Sequence, residues 1–131
     1  VSEIADFLRA MLEQDKARQE SSLDQWHNRD CASIPEEGQY TFTCDCGVPQ
    51  RVLADIEAKL ALVDDLLAEG HQTVDDEWYT CPAVVDQQLG FESGRSGPCG
   101  CGRDRRVNRR LAILARPFAG HPDHKGEGWA P

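Results

Sequence analysis

A chain of 131 residues, 40% hydrophobic and 28% charged, has room for one domain or two very small subdomains around a modest core. A core of that size often needs help from metal or disulfides. The net charge of −9 argues against general nucleic-acid binding, which needs a positive surface for the phosphates. No stretch approaches the roughly 20 apolar residues of a membrane span, so no membrane partner is expected.

The first predicted element is an amphipathic helix, because Ile4, Phe7, Leu8, Met11 and Leu12 recur at three- and four-residue steps. Ser2 is its candidate cap, and Glu3 and Asp6 suit the positive end of the helix dipole. These acids interrupt the opening segment, which therefore does not read as a signal peptide, and a cytoplasmic location is expected. The polar run from Glu13 to Ser22 either extends the helix or frays, and Leu23 and Trp26 restore apolar character just before His27.

Residues 28–47 read as a loop punctuated by Pro35 and Gly38, with a strand-like piece at Tyr40-Thr41-Phe42-Thr43. A second helix follows. Pro49 suits its first turn, Val52, Ile56, Leu60, Val63 and Leu67 form its apolar stripe, and Gly70 ends it. Residues 71–100 are loop-like again, with a second strand candidate at Trp78-Tyr79-Thr80. Gly90, Gly94, Gly97 and Pro98 leave 90–98 in need of an anchor. A third helix runs from about Asp104, read as its cap, to Ala115, with Val107, Leu111 and Leu114 on its apolar face. Pro117 and Gly120 stop it, and His121 to Pro131 form a tail carrying Trp129.

The chain repeats itself. Cys44-Asp-Cys46-Gly47, Arg51-Val52 and a helix match Cys99-Gly-Cys101-Gly102, Arg106-Val107 and a helix at a constant offset of 55 residues. Cys31 and Cys81 precede the pairs by 13 and 18 residues, so each half offers three cysteines leading into an amphipathic helix. The expected fold is mainly α, a single domain over 1–131. It has about three amphipathic helices, small irregular zinc-stabilised loops and at most short strands. An N-terminal helix and arm (1–26) precede two repeats, 27–70 and 71–131.

In a reducing compartment six thiols are more often metal ligands than three disulfides or unpaired groups. The two C-x-C pairs favour this, since neighbours one residue apart bond to each other only with strain yet can share an ion. His27, four residues before Cys31, completes a set with Cys44 and Cys46. For Cys81, Cys99 and Cys101 the fourth ligand is His71, His121 or His124. Antiparallel second and third helices would bring His71 to this set and leave His121 near the first. Sulfur-rich four-ligand sites favour zinc, two ions in all, with iron–sulfur as the rival and catalytic zinc less favoured.

The run CGCGRDRRVNRRLAILARPFAGHPDH resembles the C-terminal part of a family of small uncharacterised actinobacterial proteins, classed as a domain of unknown function. Phe7-Leu8-Arg9-Ala10, Trp26-His27 with Cys31, and CDCGVPQRVLADIEAKL are similar to the same family. The likeness covers most of the chain apart from 71–98. A tyrosine is commoner in that family where this chain has His124, which weakens His124 as a ligand. The resemblance implies an actinobacterial or actinophage origin and brings no activity with it.

No Gly-rich phosphate loop, serine elbow or His-Glu-x-x-His helix is present, so catalysis is poorly supported. The expected function is a zinc-stabilised protein-interaction or accessory module. Residues 103–116 nevertheless hold six arginines against Asp104 alone, a local +5 that leaves −14 for the rest of the chain. Arg103, Arg106 and Arg110 fall in one line and mark a partner-binding surface. A nucleic-acid-binding regulator is therefore one alternative, and a thiol redox sensor another. The plain reading of those arginines is pairing with acids of the first helix and the 75–77 loop.

Overall fold

The computed structural model describes residues 2–21, 25–32 and 44–129. Among them are four helices and no strand: α1 (Ser2–Glu20), α2 (Val48–Ala68), α3 (Val85–Leu89) and α4 (Arg103–Ala115). Short 3₁₀ turns sit at Pro82–Val84, Arg116–Phe118 and Gly126–Trp129. The mainly helical class expected from the periodicity is what forms. The Ser2 side chain, Leu23, Pro35, Gly38 and the strand candidate at 40–43 lie outside what is described. No described helix is long and apolar enough to cross a membrane.

The chain groups into two compact units, one made of Val1–Leu8 with Val63–Pro131 and the other of Arg9–Leu62. In the second unit the polar run after Leu12 stays helical to Glu20 rather than fraying. Its end is held by Gln19, which is fully buried. The Gln19 side-chain oxygen accepts the Trp26 N–H at 3.1 Å, and its backbone carbonyl accepts the Gln25 amide at 2.8 Å. Those bonds satisfy polar groups that a helix end otherwise leaves bare.

In the first unit Ile4, Leu8, Val63, Val85, Val107 and Leu111 are buried together with Trp129. Phe7 is surrounded by rings, with Trp129 at 5.0 Å, His121 and His124 at 5.7 Å and Phe118 at 6.3 Å between centroids. Lys125 donates to the Glu3 carboxylate, so charge reinforces this aromatic contact. His124 Nδ1 accepts the Gly126 N–H at 3.0 Å, which leaves the ring's proton on Nε2. Nε2 is buried without an oxygen or nitrogen acceptor. The His124 ring packs edge-wise between Phe7 and Trp129, at 5.7 and 4.9 Å between centroids.

Several sequence expectations move. The apolar stripe of α2 ends on buried Leu66, while Leu67 is only half-buried. On α4, Ala115 rather than Leu114 completes the buried face. Asp104 is not the cap of α4. Gly102 holds that position at φ 84°, a left-handed conformation that favours glycine. Trp78-Tyr79-Thr80 is a turn, because the Asp76 carbonyl accepts both the Tyr79 and Thr80 N–H groups. Strand composition alone cannot prevail without a neighbouring strand to pair with.

The stretch 90–98 finds its anchor in Asp86 of α3. Its carboxylate accepts the Ser93 N–H at 2.9 Å and the Ser93 hydroxyl at 2.7 Å. The Gly97 N–H then closes onto the Pro82 carbonyl at 3.0 Å.

Leu111 is 0% exposed at the centre of the first unit. Leu111→Ala should lower the unfolding free energy by about 2–5 kcal/mol, the range for deleting a buried leucine side chain. Urea denaturation of the two proteins measures this.

Candidate metal centres

Both cysteine pairs are built the same way. The chain passes through Cys-x-Cys, turns at a left-handed glycine (Gly47 at φ 69°, Gly102 at φ 84°), and enters a helix. The glycine carbonyl accepts the first helical bond, from Arg51 at 3.1 Å and from Arg106 at 3.0 Å. The helix's leading N–H groups are thereby aimed back at the second cysteine. Val48 N–H lies 3.4 Å from Cys46 Sγ, and the Arg103 backbone N–H acts on Cys101 in the same way. A sulfur thus takes the place of the usual Ser or Asp cap.

In the first quartet the Cys31 N–H bonds to the Asn28 carbonyl at 3.0 Å, forming the turn that carries Cys31 beside His27. Asp45, the residue between Cys44 and Cys46, accepts the Ala32 N–H at 2.9 Å and joins the two segments. His27 Nδ1 then lies 3.4, 3.3 and 3.6 Å from the sulfurs of Cys31, Cys44 and Cys46. The Cys31–Cys44 and Cys44–Cys46 sulfurs are 3.7 and 3.6 Å apart.

The second quartet assembles at the end of α2 and the start of α4. His71 follows α2 directly, and Cys81 is drawn to it by its N–H bond to the Gln72 carbonyl at 2.8 Å. His71 Nδ1 is 3.5 Å from Cys81 Sγ and 3.6 Å from Cys101 Sγ, and the Cys99 and Cys101 sulfurs are 3.8 Å apart. His71 therefore joins this set. His121 and His124 belong to neither quartet, and His121, expected near the first, packs instead on Phe7.

In each quartet the four donor atoms lie within 4.8 Å of one another. A tetrahedral ion with bonds of about 2.3 Å to sulfur and about 2.0 Å to nitrogen requires S···S edges of about 3.8 Å and N···S edges of about 3.5 Å. The observed edges, 3.3–3.8 Å, fit one such ion in each set. They do not fit disulfides, which need about 2.0 Å between sulfurs; none of the six cysteines is in a disulfide. Nor do they leave space for an iron–sulfur cluster, whose several irons and bridging sulfides spread their thiolates apart.

Local hydrogen bonding shapes the donors. The Gln72 N–H, 3.5 Å from the sulfur, outweighs burial and lowers Cys101 to about 6. Burial pushes Cys81 up, but the backbone N–H groups of Cys101, Ala83 and Gly100 overcome it and hold Cys81 below the usual thiol range. Burial likewise pushes Cys46 up, and the backbone N–H groups of Asn28 and Val48 overcome it and hold the thiol below its usual range. Cys44 is raised, by burial. Thiolate is the form that coordinates metal, so three of these four environments favour the ligating state.

Behind the second quartet, His71 Nε2 faces Asp104 at 3.5 Å, the arrangement in which a carboxylate orients a ligating imidazole. Arg103 holds that carboxylate at 2.9 Å and also donates to the Glu69 and Leu67 carbonyls, each at 2.6 Å. It thereby closes the C-terminus of α2 onto the start of α4. Arg106 donates to the Glu69 carboxylate at 2.8 and 3.0 Å, and Arg110 does so at 3.0 Å. The line of arginines is present, but its acids are Asp104 for Arg103 and Glu69 for Arg106 and Arg110, rather than those of the first helix or the 75–77 loop. Arg105, Arg109 and Arg116 remain exposed.

Asp45 and Asp104 are site residues that sequence reasoning did not assign. The repeat could not flag Asp104, whose counterpart 55 residues earlier is Pro49. The one available signal was an acid between two cysteines at Asp45.

Arg103 is only 11% exposed with three acceptors around its planar fork. Arg103→Lys should cost about 1.5–3 kcal/mol, because an ammonium cannot reproduce that fan of charge-assisted bonds. Thermal unfolding of the metal-loaded variant measures the loss.

Neither a curated protein nor a solved structure matches the chain. A family model described as a family of unknown function, DUF6221, matches residues 1–131, including the 71–98 stretch outside the likeness drawn from the motifs. The chain belongs to that family of unknown function, DUF6221.

Proposed function

We propose that the protein is a zinc-stabilised interaction module of the cytoplasm, with one zinc ion in each Cys₃His set and no catalytic role for either. The observation that carries this reading is the closure of both quartets. Three sulfurs and one imidazole complete a tetrahedron and leave no position for a substrate or an activated water, as catalytic zinc requires. Sulfur-rich tetrahedral donors favour zinc over magnesium, calcium or manganese. Six cysteines outside any disulfide suit a reducing compartment. With the metals holding the loops, the function left to the exposed faces is to meet another protein.

A nucleic-acid role for α4 has less support. Arg103, Arg106 and Arg110 are engaged by Glu69 and the α2 carbonyls, and the chain as a whole is acidic. The redox-sensor reading rests on Cys101, whose lowered range of about 6 gives reactive thiolate at neutral pH when no ion covers it. Alkylation distinguishes the two states. Zinc-loaded protein should resist iodoacetamide at Cys101, and chelated protein should react.

Native mass spectrometry of cytoplasmically produced protein should give two zinc ions per chain, falling to one in Cys81→Ser and one in Cys31→Ser. Three disulfides and no metal would sink the proposal. Chelation should also lower the melting temperature by several degrees. An ion bound only by the folded state contributes about 4 kcal/mol when present at a thousand times its Kd.

A further inference from the structure

Between two donors of the second quartet, His71 and Cys81, the chain forms a closed loop. Its neck is the Cys81 N–H bond to the Gln72 carbonyl at 2.8 Å. Above the neck the Val74 N–H donates to Thr80 Oγ1 at 2.9 Å, and that hydroxyl donates back to the Val74 carbonyl at 2.7 Å. The Asp76 carboxylate accepts the Trp78 N–H at 2.8 Å. The loop is therefore stitched at its base and its centre, with Thr80 buried beneath it.

On this fixed frame Trp78 and Tyr79 stand 70% and 72% exposed. Two adjacent aromatics held in water contribute little to the unit's own core. They do match the composition and rigidity of an interface hot spot, where little side-chain entropy remains to be lost on docking.

Two observations specify what would cover them. Asp75, Asp76 and Glu77 lie directly before the aromatics, and residues 72–80 contain no basic side chain. In addition, the Arg95 guanidinium sits 3.2 Å from the centroid of the Trp78 ring, so this indole already receives an arginine on one face.

We infer that loop 72–80 docks an arginine-rich segment of a partner protein. A guanidinium stacks on the open ring surface of Trp78 and Tyr79, and neighbouring arginines pair with Asp75 and Glu77. A nucleic-acid strand is the wrong occupant, since its phosphates would face three carboxylates. The inference rests on the interaction-module reading and names its surface and partner chemistry.

The test titrates zinc-loaded full chain with an oligoarginine peptide of about nine residues in about 0.15 M salt, read by calorimetry. Trp78→Ala should weaken binding at least about fivefold, and an oligolysine peptide of equal length should bind more weakly than oligoarginine. Asp75→Asn with Glu77→Gln should also lose at least about fivefold. Glu57→Gln with Asp65→Asn, which removes equal charge from α2, should leave the affinity unchanged.

Equal losses in the two charge pairs would overturn the inference, as would an unaffected Trp78→Ala or an oligonucleotide that, titrated without peptide, binds the chain in a Trp78-dependent way. Metal content is measured on every sample. Fully loaded protein without loop-dependent binding overturns this inference alone. Protein that never holds metal overturns the functional reading, while its peptide titration still decides the docking surface.

Discussion

At the head of α2 and again at the head of α4, a left-handed glycine swings the backbone so that helical N–H groups meet the sulfur just behind it. The arrangement solves two problems together. A helix start has donors with no internal partner, and a cysteine held near other cysteines needs positive potential to exist as thiolate. Because each helix fixes its sulfur, the remaining donors need only be brought to it. The turn at Cys31 and the Gln72–Cys81 bond accomplish that.

The charge pattern follows from the same geometry. The arginine-rich start of α4 is largely consumed by the end of α2, where Glu69 and two bare carbonyls collect Arg103, Arg106 and Arg110. Exposed ion pairs such as those of Arg106 and Arg110 contribute little each. Arg103 is different, since it satisfies helix-terminal carbonyls and positions Asp104 behind His71. A segment that stands out in the sequence as a cationic surface is thus mostly an internal brace. Of the acids at 75–77, Asp76 is likewise used internally, on the Trp78 N–H.

The helices were legible because their apolar residues repeat at the helical period, and errors fell at their ends, where one position decides between Leu66 and Leu67 or between Leu114 and Ala115. The quartets were legible for another reason: the 55-residue repeat groups the cysteines without any knowledge of the loops. His71 followed from placing the end of α2 beside the start of α4, which the Arg103 bonds to Leu67 and Glu69 bear out. Asp45, Asp86 and Asp104 were not legible as partners. A carboxylate that collects a backbone N–H, as Asp45 and Asp86 do, or a side chain from another element, as Asp104 does with His71, is identified only by where the chain returns, and neither propensity nor period encodes that return. Trp78-Tyr79-Thr80 misled for the same reason, since Asp76 sets that backbone from two residues away.

One unit is interrupted by the other. Residues 9–62 form a contiguous body, whereas its companion needs both Val1–Leu8 and everything from Val63 onward. Phe7 and Trp129, 5.0 Å apart as rings, are separated by nearly the whole chain. Closing so long a loop costs entropy that local contacts do not incur. During synthesis Phe7 therefore emerges long before Trp129, its ring partner. His27, Cys31, Cys44 and Cys46 are all available while Cys99 and Cys101 are still untranslated, so the order in which the two donor sets become complete is fixed by topology.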